Sequence, residues 1–358
     1  MGVGTTLARR AVFLAAALVI AVFLTGVILG ASGYIDKVLN AIVLEEVRAY
    51  RQGLSKLYNL TAAERDRLVA EYEKTLRDYY QLDKPWIYRL VPTVLSTLTL
   101  DLGYVQSGGV AEVAGYQLPV RVSTVVLTCL PRTIFMITVA EAITIVIALL
   151  VAPFIVYRIG SLIDRVVVAY AAVMNAFPLW WIALVMLFTL GYRWGIAPTR
   201  LRAVTASINA LFSGNLLALG EVFYYAWLPI LTIVVVSLGP WIYSVRAMLI
   251  RVVKEDYVTA AVARGLPEKY VLRRYIMRPA ASPIVTNVIL GLAGTIGGYI
   301  ITESVFDWPG MGTLYYSAIV NADAPTILAL TYIFTLVYVV ARFILEVLYI
   351  VLDPRVRL

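Results

Sequence analysis

The chain has 358 residues, of which 61% are hydrophobic and 15% charged, with a formal net charge of +8. A soluble domain is usually about half apolar and about a quarter charged, so this composition is typical of an integral membrane protein. One cysteine, Cys129, and no histidine exclude an intrachain disulfide, a cysteine-based metal cluster, a Ser-His-Asp triad and the common zinc sites.

Six apolar runs are each long enough to cross a bilayer as a helix, in which every backbone polar group is satisfied internally. They cover approximately residues 11–31, 133–157, 166–190, 223–244, 284–301 and 326–352. The first run follows Arg9 and Arg10 and is similar to a signal peptide. It is longer than the usual apolar region of about 7–15 residues and lacks a convincing cleavage site, so we predict a retained helix.

Lysine and arginine predict the orientation, because these residues are in excess in short cytoplasmic loops. With six spans and a cytoplasmic N-terminus, four segments face the cytoplasm, and their bases outnumber their acids. The positive charge then lies beside lipid headgroups, and binding of nucleic acid is not needed to explain it. We predict a multi-pass protein of the plasma membrane with both termini in the cytoplasm.

Residues 32–132 are predicted to form an extracytoplasmic insertion, because the first and second apolar runs flank them. Between Asp36 and Asp83 the sequence is typical of amphipathic helix, and Thr61 with Glu64 fits a capping box. Asn59-Leu60-Thr61 is also a glycosylation sequon, although a helix start is the favoured use of Thr61. The predicted organisation is residues 1–31 (N-terminus and first span), 32–132 (insertion), 133–352 (five-span core) and 353–358 (cytoplasmic tail).

The most informative segment, residues 255–278, lies between the fourth and fifth runs. Acids at its start and Arg264 at its end suit a helix dipole, and Gly265 with Pro267 predicts an abrupt stop. A second, basic helix over Glu268–Met277 is predicted to end before Pro279. The small residues Ala260, Ala261 and Ala263 in the first helix leave room for close approach by a partner's groove.

The alanine pair before Gly265 resembles the EAA loop of bacterial and archaeal ABC importer permeases. Over more than half of the chain the sequence resembles the dipeptide/oligopeptide permease family, in its B-type subunit. The matching strings, each weak alone, are Leu82-Asp83-Lys84-Pro85, Asp101-Leu102-Gly103, Trp227-Leu228-Pro229, Asp256-Tyr257 through Ala260-Ala261 to Gly265-Leu266, Pro283, Thr302 to Phe306, Trp308-Pro309-Gly310-Met311-Gly312, and Leu352 to Leu358.

The resemblance implies an all-α permease of six transmembrane helices with a cytoplasmic coupling helix. It implies four kinds of partner: a homologous second permease, two ABC ATPase subunits, an extracytoplasmic substrate-binding protein, and membrane lipid. The chain contains no G-x-x-x-x-G-K-[ST] P-loop, so we expect it to bind no cofactor and catalyse nothing itself, with ATP and Mg held by the ATPases. The implied contact with an ATPase runs from Asp256 to Arg274, with Ala260, Ala261 and Gly265 at its centre. The implied coupling residues are Asp256, Tyr257, Thr259, Ala260, Ala261, Arg264, Gly265 and Leu266.

Thr259 departs from the family pattern, which has glutamate there, and this puts in doubt any salt bridge at that position. Glu255 and Asp256 supply negative charge one turn earlier. The alternative is that the segment is only a loop anchored to headgroups by its arginines.

A predicted outer loop near residues 303–312 combines glycines, a proline and a tryptophan that suits the membrane interface. It is interpreted as an outer gate or a contact for the binding protein, or else as a connecting turn; its candidate residues are Glu303, Asp307, Trp308, Pro309, Gly310 and Gly312.

Three ionisable residues fall within predicted spans, where charge is costly and often functional. Arg342 and Glu346 are spaced to pair on one helix face, which favours a structural pair over a place on the pathway. Glu141 has no obvious partner, and lining the channel or pairing with the second permease remain alternatives.

Peptides are the favoured cargo, and oligosaccharides are the alternative because members of the resembled family also take up sugars. A function of another class, an ATPase-independent secondary transporter or channel, also remains open. A membrane-bound enzyme is disfavoured, because the sequence offers no cluster of acid, base and nucleophile.

Overall fold

The computed structural model describes residues 3–55 and 61–352, and in this part of the chain the secondary structure is helical, with a single isolated bridge between Tyr104 and Arg121. The predicted all-α fold is therefore confirmed. The predicted tail over residues 353–358 and the sequon residue Asn59 lie outside the described residues.

Four long helices contain segments that are apolar and long enough to cross a membrane. They are α1 (Val3–Ala31), α6 (Val122–Val156), α10 (Ala218–Val253) and α16 (Ala324–Leu352). These helices contain the first, second, fourth and sixth predicted runs. At the centre α6 packs along α10, while α1 packs along α16.

The third predicted run forms two helices instead of one continuous span. Helix α7 (Leu162–Ala176) meets α8 (Leu179–Met186), which continues through a π turn to Arg193, and the two axes are bent by 95°. Phe177 lies in an extended conformation because Pro178 follows it, and a residue before proline is disfavoured in the α region. The described chain thus has four candidate spans, or five if this bent pair crosses as one.

The fifth predicted run lies in α13 (Arg278–Gly298), which is not among those candidate spans. The predicted helix stop before Pro279 is wrong. The chain stays helical from α12 (Glu268–Tyr270) through a π turn, Val271–Met277, into α13. Pro279 falls in the first turn of α13, where its missing N–H and fixed φ are tolerated. Helix α13 ends at Gly298, and after Tyr299 the helices α14 (Ile300–Phe306) and α15 (Met311–Val320) follow.

The predicted insertion begins with two antiparallel helices, α2 (Tyr34–Ser55) and α3 (Ala62–Tyr79). Their buried side chains include Val43 and Val69, and the Tyr50 and Tyr72 rings stack at 4.3 Å. The predicted capping box is confirmed, because the Glu64 backbone N–H donates to the Thr61 hydroxyl and the Thr61 N–H donates to the Glu64 carboxylate.

Three further short helices are α4 (Trp86–Leu98), α5 (Gly108–Ala114) and α9 (Val204–Phe212). Helix α4 runs antiparallel to α1, since Trp86 lies against Gly30 and Leu90 against Gly26. The second span begins at Val122, well before the predicted boundary at residue 132, because the β-branched stretch preceding that boundary is already helical.

Candidate functional site

The loop between α10 and α13 carries the short helix α11 (Asp256–Ala263), as predicted. Its C-terminus is a Schellman motif: the Gly265 N–H donates to the Val262 carbonyl and the Leu266 N–H donates to the Ala261 carbonyl. Gly265 has a φ of +74°, a left-handed conformation that glycine adopts at little cost. The sequence therefore stops α11 at the predicted residue for the predicted reason.

One face of α11 is buried against the ends of the long helices. Val258 and Ala261, one helical turn apart, belong to a cluster with Ile155 and Val156 of α6 and Leu249 of α10. Ala261 is fully buried, so the prediction that it meets a partner is wrong in this conformation. Its small side chain instead lets α11 lie close to its own bundle.

The opposite face of α11 is exposed. Ala260 and Arg264 lie on the exposed side, and Tyr257 and Val262 lie at its edges, with Val262 59% exposed. Asp256, Thr259, Ala263 and Gly265 are also exposed, and Leu266 is half-buried. Partial burial, with a smaller contribution from the Glu255 carboxylate, raises the pKa of Tyr257 above its usual value. The structure thus brings together the predicted coupling residues except Ala261, as a small-residue surface flanked by an aromatic ring and a guanidinium.

Sequence reasoning missed Val262, because its spacing of four residues from Val258 favours the buried side of the helix, whereas in the structure it is exposed at the edge of that side. An exposed apolar side chain in a short loop helix is a signal for an interaction surface when its neighbours are also small and exposed.

Helix α11 is tied to three long helices. Only Lys254 and Glu255 separate it from α10, and its buried face rests on the end of α6. On the other side, Leu266 and Pro267 lead directly into α12 and the helical run to α13. The Tyr157 hydroxyl, at the end of α6, donates to the Glu268 carbonyl at 3.4 Å. A displacement of α11 would therefore move the ends of α6, α10 and α13.

A buried ion pair stiffens this same end of the bundle. Arg246 of α10 donates two hydrogen bonds, of 2.5 and 2.8 Å, to the carboxylate of Asp164 at the start of α7. That carboxylate also accepts from the Gly160 N–H, and the Ser161 hydroxyl caps α7. The sequence showed both charges but gave no sign that they pair, because 82 residues separate them.

The predicted outer loop is organised by Glu303, which is 1% exposed. Its carboxylate accepts from the Thr133 hydroxyl of α6 at 2.9 Å and from the Gly312 N–H at 2.8 Å. The same Thr133 hydroxyl accepts from the Met311 N–H. Glu303 lies outside every candidate span. Burial raises the pKa of the Glu303 carboxyl to about 7, against hydrogen bonds from Thr133, Gly312 and Thr313 that lower it.

The glycines of this loop are required by close approach. A Cβ atom at Gly310 would lie 2.4 Å from both the Glu303 carboxylate and the Thr133 hydroxyl, and one at Gly312 would lie 2.8 Å from the Ile300 backbone. Residues larger than glycine at these two positions would therefore push the loop away from Glu303 and from α14.

The prediction that Trp308 lies at the membrane interface is wrong. Its ring is fully buried, and its indole N–H donates to the Arg132 carbonyl. Pro309 is also buried, and its carbonyl accepts from the Arg132 guanidinium. Asp307 alone of the predicted loop residues is half-exposed, and it accepts two hydrogen bonds from Arg202 at 2.7 and 3.1 Å.

The intramembrane charges differ from their predicted pairing. Glu346 contacts Arg10 of α1 at 3.4 Å rather than Arg342, which has no ion pair among the described residues. Glu346 pairs with Arg10 because α1 packs antiparallel along α16 and places the Arg10 guanidinium on the buried side of α16. Glu141 is buried within this chain and accepts a hydrogen bond from Tyr299, at the break between α13 and α14.

Residues 144–358 match the family described as binding-protein-dependent transport system inner membrane component. A probable D,D-dipeptide transport system permease protein of Escherichia coli is 34% identical over 42% of this chain and 44% of its own length. An oligopeptide transport system permease protein of Bacillus subtilis is 26% identical over 66% of this chain and 72% of its own length.

A glutathione transport system permease protein of Escherichia coli is 35% identical over 31% of this chain and 37% of its own length. The matches to the two Escherichia coli proteins thus span less than half of those proteins.

Proposed function

The chain belongs to the family of binding-protein-dependent transport system inner membrane components, and we propose from this that it is the transmembrane permease subunit of an ATP-binding-cassette importer. The observation that carries the proposal is the two-faced helix α11. One face is buried on the ends of the long helices, and the other presents small and apolar side chains to a partner.

In the proposed mechanism, the exposed face of α11 docks in a groove of an ATPase subunit. ATP and Mg bind to that partner, and the closing of two ATPases on each other displaces α11 as a rigid body. Because α11 is tied to α6, α10 and α13, the displacement reorients the spans that surround the pathway. This chain contributes half of the channel, and a homologous second permease contributes the other half.

We propose that the α11 end of the bundle faces the cytoplasm, where Arg246, Arg264, Arg273 and Arg274 obey the positive-inside rule. The helices α2 and α3 then lie outside the plasma membrane. Six crossings result if the bent pair α7 and α8 and the helix α13 each span the bilayer. Both termini are cytoplasmic in this arrangement.

The proposed cargo is a peptide, because the three relatives described above are named for dipeptides, oligopeptides and glutathione. None of these three is named for an oligosaccharide, so the sugar alternative gains no support from them. An extracytoplasmic binding protein would deliver the peptide.

The loop around Glu303 is proposed to act as an outer gate rather than as a surface for the binding protein. Its glycines, its proline and Trp308 are internal and fix the loop to α6. Asp307 is the loop side chain that a partner could reach.

The coupling proposal is tested by overfilling the exposed face of α11. Ala260→Trp adds bulk where an ATPase groove would close, and overpacking of this kind costs roughly 1–3 kcal/mol, or about 5- to 150-fold in affinity. We expect the purified variant to retain fewer ATPase subunits and to lose peptide-stimulated ATP hydrolysis.

The matched control is Ala70→Trp, an exposed alanine of α3 far from this surface in the fold. It should retain the ATPases like the unaltered chain. Equal ATPase retention by Ala260→Trp and Ala70→Trp would contradict the assignment. Gly265 is a poorer probe, because any side chain at its positive φ strains the loop itself.

A further inference from the structure

A cavity of about 290 Å³ lies at the end of the bundle that carries α2 and α3. Its walls come from the C-terminal end of α1, the N-terminal end of α16, one face of α4, and residues of α2 and of the α3–α4 connection. Two of these elements, α1 and α16, are candidate membrane spans. In the membrane arrangement proposed above, on which this inference rests, the cavity lies where the bundle leaves the apolar part of the bilayer.

The lining of the cavity is divided by chemistry. Leu29, Leu39, Trp86, Leu90 and Leu328 supply apolar surface. The polar residues that line it are Asp36, Tyr79, Tyr80, Gln81, Arg89, Thr93 and Gln106. An amphiphile matches this combination better than a wholly polar or wholly apolar solute.

Two buried polar atoms of lining residues lack partners. Arg89 donates to Asp36 at 2.5 Å through one terminal nitrogen, but its buried Nε has no hydrogen-bond partner among the described residues. The Gln106 side-chain oxygen is likewise buried without a partner there. One is a donor and the other an acceptor, and buried groups of this kind are normally satisfied. Neither atom has accessible surface in this conformation, so a ligand would contact them only after the two side chains turn toward the cavity. A phosphodiester beside a hydroxyl or an ammonium group would then satisfy both.

The outward face of α4 indicates where such a ligand would come from. Ile87, Tyr88, Val91 and Leu95 are all more than half exposed on this face. Gly26 and Gly30 let α4 lie directly on α1, since a Cβ at either position would collide with Leu90 or Trp86. A helix fixed to a membrane span, with apolar side chains pointing away from the protein, is in contact with lipid.

We propose that this cavity is a binding site for one phospholipid of the outer leaflet. The phosphate lies near Arg89, the headgroup hydroxyl or ammonium donates to Gln106, and an acyl chain follows the apolar wall past Leu90 and Leu328. The lipid joins α1, α4 and α16 to the helices α2 and α3.

The site is tested by filling it. Thr93→Phe places a ring in the cavity, and Thr75→Phe is the matched control, because each threonine hydroxyl donates to the carbonyl four residues earlier and Thr75 lies off the cavity on α3. Assembled transporters would be purified from nanodiscs of phosphatidylglycerol and phosphatidylethanolamine. The lipids that remain bound would then be counted by native mass spectrometry. The unaltered complex and Thr75→Phe should each keep one phospholipid that Thr93→Phe loses.

A second variant addresses the case in which Thr93→Phe fails to fold. Gln106→Leu removes the unpartnered oxygen but keeps the backbone N–H that donates to Asp323. We expect it to retain the phospholipid less well than the unaltered chain. The proposal would be overturned if a folded variant of either kind retained as much phospholipid as the unaltered chain. It would also be overturned if the cavity of the unaltered chain held only detergent or water. Neither result bears on ATPase coupling through α11.

Discussion

Glu303 is the residue whose protonation should be visible in the stability of the whole chain. Its folded pKa of about 7 lies above the usual glutamate value of about 4.3, so the folded protein binds more protons than the unfolded one between these pH values. Stability contributed by this group is therefore fully present below the usual pKa and is lost as pH rises toward 7. With the carboxyl almost fully buried, the change is of order 3 kcal/mol.

We predict that the thermal midpoint in detergent falls between pH 5 and pH 8 more steeply for the unaltered chain than for Glu303→Gln. Glutamine keeps the shape and one acceptor but does not titrate. Any loss of stability from the substitution itself is therefore the same at every pH, and it shifts the profile of thermal midpoint against pH without adding a slope. Glu71→Gln, at an exposed position of α3, should keep the slope of the unaltered chain. Parallel profiles for Glu303→Gln and the unaltered chain would contradict this role for Glu303.

Residue roles that depend on local pattern could be predicted from sequence, whereas pairings between distant residues could not. The Thr61 and Glu64 capping box and the Gly265 stop are each set within a few residues. Glu346 was assigned to Arg342 by helical spacing, but its partner is Arg10, more than three hundred residues earlier. Only the packing of α1 on α16 determines that choice.

At the scale of elements, α11 is predicted to separate folding from coupling on its two faces. Val258→Asp buries a charge against α6 and α10, which is strongly unfavourable without a partner. Val262→Asp places the same charge on the exposed face of the same helix, where water solvates it.

We expect Val258→Asp to lower the thermal midpoint and the yield of folded protein, and Val262→Asp to leave both unchanged while weakening ATPase retention. The pair would be compared by fluorescence-detected gel filtration and by the ATPase content of the purified complex. The same loss of folded protein for both substitutions would show that α11 has no free face.

The long helices followed directly from the apolar runs, but their irregularities did not. Pro178 was visible in the sequence, yet prolines 131, 153, 229 and 240 lie inside continuous helices, so a proline alone does not mark a break. The π turn before Pro279 has the same hydrophobic pattern as an ordinary helix, and only its hydrogen-bond register differs. Tertiary packing decides in each case whether the chain bends, widens or continues.

For the whole molecule, the structure indicates one mechanical connection from end to end. The loop helix α11 rests on α6, and α6 carries Thr133 and Arg132, which hold the Glu303 loop near its opposite end. Glu141, between them on α6, contacts Tyr299 where α13 breaks. A displacement that begins at α11 can thus reach the proposed outer gate through a single helix.

The most direct test of this account is peptide uptake into proteoliposomes that contain both permeases, with the ATPase subunits and ATP enclosed and a peptide-loaded binding protein added. The account predicts accumulation that requires enclosed ATP and is abolished by Ala260→Trp but not by Ala70→Trp. Uptake that proceeds on an ion gradient after the ATPases are removed would contradict it, because α11 would then have no partner to move it.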